Sequence, residues 1–159
     1  MATMTKAMHK ELEAEWEIGT TRLFGNFDLG TAGLISGWSA PEDPHIWNDG
    51  PEAVMQIVTG PVRRTLRVTV EAIPFISGNV TSQDVTLYVN GSRIGFWRLQ
   101  ESKSYLLSGM IEPEQIFERD GKALLTCSFH LPKSAKPVDV GAGKDSRELG
   151  LCFRSITLA

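Results

Sequence analysis

Residues 65–73, TLRVTVEAI, set Leu66, Val68, Val70 and Ala72 against Arg67, Thr69 and Glu71. Apolar and polar positions alternate with period two, the pattern of a strand with one face in a core and one in water. Residues 84–99, DVTLYVNGSRIGFWRL, carry a stronger signal. Asn90-Gly91 separates two alternating runs, and a type I′ turn needs positive φ at both of its central positions. A two-residue hairpin follows, with Val89 opposite Ser92, Leu87 opposite Ile94 and Val85 opposite Phe96 on the core face. That register sends Tyr88, Arg93 and Trp97 to the other face, with Trp97 opposite Asp84.

ALLTCSFHLP alternates again, placing Leu125, Cys127, Phe129 and Leu131 together and His130 on the polar side. LGLCFRSITL begins with Leu149, Leu151 and Phe153 inward. It ends with Ile156 and Leu158 at the opposite parity, which predicts a bulge near Arg154–Ser155. SYLLSGMI and EAVMQIV are further strands, and FGNFDLG is a candidate. Glu112-Pro113 predicts a single helical turn over residues 113–117.

At the N-terminus Met4, Met8, Leu12 and Trp16 recur every four residues, one apolar stripe on a short helix. The body, 17–159, offers seven to nine short strands, frequent turn signals and no α-helix. The expected fold is all-β: an antiparallel β-sandwich, jelly-roll-like, preceded by a helical arm over 1–16. Parallel α/β architecture fails for want of crossover helices. The arm would dock on its own domain or on a neighbouring subunit, so a homo-oligomer belongs among the expectations.

The chain's 159 residues are 42% hydrophobic and 22% charged, enough for one domain with a substantial core. The net charge is −3 and no basic run occurs, which argues against nucleic acid or an anionic membrane as partner. Cys127 and Cys152 both fall in apolar strand-like runs and read as buried free thiols. The start of the chain has acids where a signal peptide has its apolar region, and no apolar run is long enough for a membrane span. The expected compartment is the cytoplasm. Asn79-Val80-Thr81 and Asn90-Gly91-Ser92 match the glycosylation pattern but read as turns.

Catalytic signatures are missing. His9, His45 and His130 are scattered without metal-ligand spacing, and no nucleophile elbow or phosphate loop is present. The carboxylates Glu42, Asp43 and Asp49 are the sort any surface loop supplies. The reading is therefore not an enzyme, with no catalytic residue and no cofactor. A structural calcium ion held by loop acids drawn from Asp43, Asp49, Asp139 and Asp145 is the single metal the pattern admits.

Aromatic residues are the unusual feature. GWSAPEDPHIWNDG, residues 37–50, holds Trp38 and Trp47. Sugar-binding surfaces use such rings because the C–H face of a pyranose packs on an apolar plane while polar groups bond its hydroxyls. Trp38, Trp47 and Trp97 are candidate stacking residues, with Glu42, Asn48, Asp49 and Arg93 as hydroxyl-bonding partners. The alternative is structural, since each ring buries about 150–250 Å².

The order of motifs is also informative: GWSAPEDPHIWNDGPEAVMQI, then LRVTVEAIPF, then VTLYVNGSRIGFWRL, then CSFHLPKSAKPVDVGAGKDSRELGLCFRSITL. It resembles a bacterial β-sandwich domain, similar to carbohydrate-binding modules, that accompanies sugar and phosphoglycerol transferases of cell-surface polysaccharide synthesis. Gly37, Trp38, Glu42, Trp47, Gly50, Asn90, Gly91, Pro132, Pro137, Asp145, Arg147, Leu149 and Gly150 carry the resemblance. It implies a glycan or a glycosyltransferase-type protein as partner, and no catalytic residues. Within the matched Asp-x-Arg, Asp145 and Arg147 are expected to act as a structural brace: Arg147 would fork onto a carboxylate, with Glu42 the expected partner, or onto loop carbonyls, pinning the 132–148 connection. The competing expectation is a structural module that self-associates or docks on a transferase without binding glycan.

Overall fold

A computed structural model describes residues 15–25 and 33–159. Two antiparallel sheets pack face to face. One has strands in the order β1 (Thr21–Leu23), β11 (Leu151–Leu158), β5 (Leu66–Pro74) and β8 (Tyr105–Ile111), with β3 (Ile46–Trp47) also paired to β11. The other runs β2 (Leu34–Ser36), β4 (Glu52–Thr59), β10 (Lys122–His130), β6 (Gln83–Val89) and β7 (Ser92–Leu99), with β9 (Phe117–Arg119) paired to β10. The fold is an all-β sandwich. The turn near residue 113 is a 3₁₀ turn, Pro113–Gln115, and its Gln115 side chain accepts the Glu112 N–H at 2.8 Å.

The core follows the period-two runs. Leu66, Val68, Val70 and Ala72 on β5 face Leu125, Cys127 and Phe129 on β10 across the interior, and every one is at most 1% exposed. The pairing of β11 with β5 slips between Phe153 and Ser155. The single extra residue brings Ile156 and Leu158 back to the core side, where both are fully buried.

The β6–β7 hairpin departs from the expected register. Asn90 and Gly91 have φ of 50° and 84°, as the type I′ turn requires. Asn90 is also stitched in by its side chain, which donates to the carbonyls of Gln115 and Leu124 and accepts the Thr126 N–H, each at 2.9 Å. Past Tyr88–Arg93, however, a bulge places Leu87 opposite Gly95 and Val85 opposite Trp97, not Ile94 and Phe96. Trp97 consequently turns inward and packs against the core, while Phe96 is 44% exposed. Glycine makes room for the ring: a Cβ on Gly95 would lie 2.5 Å from the Trp97 indole. Ile94 reaches across to β8, where a Cβ on Gly109 would meet it at the same distance.

Of the expected helical arm, Met4, Met8 and Leu12 lie outside the described residues. Trp16 is not helical: it bridges to Thr59, donates its N–H to the Val58 carbonyl at 2.6 Å, and is 6% exposed. It belongs to the sandwich. Most of FGNFDLG also lies outside the described residues, although Phe24 is fully buried in the core. Among the described residues no helix is long and apolar enough to cross a membrane.

Candidate functional site

Residues 37–50 form a narrow antiparallel ribbon closing one end of the sandwich. Trp38 bridges Asn48, the Ser39 N–H donates to the Trp47 carbonyl at 2.9 Å, and the Glu42 N–H closes the tip on His45 at 2.8 Å. Gly37, at φ 80°, lies against the Glu52 carbonyl so closely that any Cβ would collide with it.

Trp38 is a packing residue. Its indole N–H donates to the Val54 carbonyl at 2.7 Å. Its ring sits 4.8 Å from Phe153, edge-on, and 5.7 Å from Phe24, stacked, within an aromatic cluster that includes Phe129. Trp47 is half-buried on β3, opposite Cys152. Asn48 is not a surface hydroxyl-binding group: it is fully buried. Its Oδ1 accepts the N–H groups of Gly150 and Leu151 at 2.8 and 2.7 Å, and its Nδ2 donates to the Gly50 carbonyl at 2.8 Å. The exposed Asp49 accepts the Glu148 N–H at 2.9 Å.

Arg147 reaches from the 132–148 connection into this ribbon. Its Nε donates to both Asp145 oxygens at 3.1 Å and its Nη2 to Asp145 Oδ2 at 2.7 Å. Nη1 donates to Ser39 Oγ at 2.6 Å and lies 3.8 Å from Glu42 Oε2. The guanidinium, followed by the Arg147 N–H, holds the Asp145 carboxyl below the usual carboxylate range.

The seven residues expected to share a ligand do not converge. Trp38 and Trp97 are partly buried and pack against the core. Trp47, Glu42 and Asp49 stay with the ribbon beside β11, and Arg93 sits on β7 of the other sheet. The acids proposed for calcium are not gathered into one group either. Among the described residues no group of three His, Cys, Asp or Glu side chains is placed to hold a metal, and Asp145 and Asp49 already accept protein donors. Cys127 and Cys152 are both free and buried, and burial pushes the thiols up to about 12 and about 11. Neither is an activated nucleophile.

Sequence reasoning missed the organisation of the outer face of the six-stranded sheet. Register lays Glu52, His130, Thr86 and Phe96 in one row across β4, β10, β6 and β7, with Val54, Ser128, Tyr88 and Arg93 in the next. None of the eight is buried. Four strands span about 14 Å at ordinary strand spacing. The Tyr88 and His130 rings meet at 4.7 Å, tilted by 53°, and Glu52 lies 3.6 Å from His130. The Arg93 guanidinium sits 5.6 Å from the Phe96 ring centroid. At the end of this face Asp84 accepts two hydrogen bonds from Arg98, at 2.8 and 3.2 Å, and lies 3.3 Å from Lys133. The signal was present in the sequence: Tyr88 and His130 alternate with core residues on paired strands.

No protein-family model matches the sequence, and no curated protein matches it significantly. Solved structures do match in fold. A family GH115 4-O-methyl-α-glucuronidase with specificity for decorated arabinogalactans is 7% identical, with a TM-score of 0.50 over 92% of this chain and 18% of that one. An acetyl xylan esterase from the rumen bacterium Butyrivibrio proteoclasticus is 12% identical, with a TM-score of 0.50 over 88% of this chain and 32% of that one. A family 35 carbohydrate-binding module from Paenibacillus barcinonensis is 12% identical, with a TM-score of 0.49 over 89% of this chain and 98% of that one. At these identities the likeness is one of fold.

Proposed function

We propose that this chain is a non-catalytic, carbohydrate-binding-like accessory module that serves bacterial surface-polysaccharide synthesis. The observation that carries the reading is the shared β-sandwich. The two enzymes of TM-score 0.50 are a glucuronidase with specificity for decorated arabinogalactans and an acetyl xylan esterase, and this chain corresponds to only a minor part of each. Fold alone does not decide function, but two features of the molecule agree with it. Its cysteines are buried and unactivated, and an aromatic and polar sheet face lies open.

The deciding experiment is a glycan array probed with the purified chain, followed by calorimetry on any hit. Retention of at least one glycan with a measurable Kd is expected. A blank array, together with no heat on titrating soluble polysaccharides, overturns the reading.

A second reading, a protein-docking module, is favoured by the edge strand β8. There Leu106 is 71% and Met110 47% exposed, on one face of the strand. Such a module would self-associate or bind a transferase. Sedimentation across the micromolar range tests self-association, and a constant monomer mass with no capture by transferase domains rejects this reading.

A further inference from the structure

We infer that the outer face of the six-stranded sheet is the glycan site, centred on Tyr88, Phe96 and Arg93, and that its ligand is an acidic polysaccharide. The inference rests on the module reading above and adds the surface and the ligand class.

Chemistry and charge carry it. Tyr88 and Phe96 offer two aromatic planes on adjacent strands, diagonal across Thr86. Rings on neighbouring strands at a diagonal stand about 7–8 Å apart at their Cα atoms, close enough for one extended chain to lie over both. Thr86 adds a hydroxyl beside Phe96 and Ser128 one beside Tyr88, and His130 with Glu52 closes the row. A protein partner of ordinary composition would want an apolar centre with few charges. This face has its apolar area only in isolated rings set among hydrogen-bonding groups, which suits a ligand made of C–H faces and hydroxyls.

The charge distinguishes an acidic glycan from a neutral one. The whole chain has a net charge of −3. On this face Arg93, Arg98 and Lys133 stand against Asp84 and Glu52, an excess of positive charge even without counting His130. Asp84 is taken up by Arg98 and Lys133, while Glu52 lies at the far end of the row, 3.6 Å from His130. Arg93 contacts only the Phe96 ring and has no carboxylate partner among the described residues. A guanidinium with its N–H fork uncommitted, stacked on an exposed ring, is suited to a carboxylate on a sugar bound there.

The test is affinity electrophoresis and calorimetry of the intact chain with polygalacturonate, with neutral dextran and with poly-L-glutamate as a polyanion lacking sugar rings. Wild type should bind polygalacturonate at least tenfold more tightly than either control, less so at high salt. Arg93→Gln and Phe96→Ala should each weaken binding about tenfold or more while keeping the wild-type melting temperature, and Trp47→Ala should bind as wild type. Full binding by folded Arg93→Gln and Phe96→Ala overturns the site. Equal binding of dextran overturns the acidic ligand, and equal binding of poly-L-glutamate overturns the sugar. If polygalacturonate is ignored while the array records another glycan, this inference falls and the module reading stands. A blank array removes both.

Discussion

Asn48 and Leu151 exchange two hydrogen bonds: the Asn48 N–H donates to the Leu151 carbonyl at 3.3 Å, and the Leu151 N–H donates to Asn48 Oδ1 at 2.7 Å. The same oxygen takes the Gly150 N–H, so one buried amide begins the last strand and ties it to the 37–50 ribbon. Replacing Asn48 by Ala strands two buried donors, each costing about 1–3 kcal/mol. The expected loss is about 2–4 kcal/mol, read as a fall of several degrees in Tm for a domain of this size. An Asn48→Ala protein melting with wild type would show that the amide is dispensable.

Trp38 makes a parallel case with a different mechanism. Its ring fills space among Phe24, Phe129 and Phe153, so Trp38→Ala leaves a cavity and should cost about 3–5 kcal/mol in urea unfolding. Trp38→Phe keeps much of the packing but drops the bond to the Val54 carbonyl, and should cost less. Equal losses from the two substitutions would contradict this division.

Acid stability should depend on two aspartates. Hydrogen bonds from Arg98, and secondarily Lys133, hold Asp84 below the usual carboxylate range against the opposing effect of its burial, and Arg147 does the same for Asp145. A carboxyl depressed in the folded state binds its proton more tightly when unfolded. The stability it contributes is therefore complete above the ordinary carboxylate range and disappears as pH falls through the depressed value. Urea midpoints measured from neutral pH down to about pH 2 should decline over that window, and Asp84→Asn should flatten the decline. An unchanged slope in that variant would assign the acid limb to other groups.

Thiol chemistry gives a direct readout of the core. With Cys127 pushed up to about 12 and Cys152 to about 11, neither thiolate is populated near neutrality. A disulfide reagent at about pH 8 should label neither thiol in the native protein and both in denaturant. Rapid native labelling of Cys127 would mean that the two sheets open readily.

Metal dependence is the last expectation. Because Asp49 and Asp145 are engaged by protein donors and no acid trio gathers among the described residues, chelation should leave Tm unchanged, whereas loss of a bound structural ion would lower it.

Much of the fold was legible because alternation is unambiguous where every inward residue is apolar, as on β5 and β10. The bulge in β11 was legible too, since Phe153 and Ile156 have opposite parity yet both need burial. The bulge in β7 was not. Ile94 and Phe96 at one parity and Trp97 and Leu99 at the other are equally apolar, so the pattern offers two acceptable registers. What selects between them is the space over Gly95 and Gly109, which depends on a tertiary contact with β8. The approach of Arg147 to Glu42 is anticipated from the motif, but its closer bonds to Asp145, its bond to Ser39 and the burial of Asn48 are not. The last two depend on two segments, about one hundred residues apart, meeting at one end of the sandwich.

The bulge at Ile94 makes the identity of the β7 surface a matter of counting. Drawing Ile94 into a regular ladder would turn the strand over from that point on, presenting Trp97 to solvent and burying Phe96, whereas deleting it would remove the bulge and leave Phe96 opposite Thr86 and Trp97 opposite Val85. The bulge is thus what decides which side chains the sheet displays, because one step in register exchanges the whole set of exposed side chains for the set behind it.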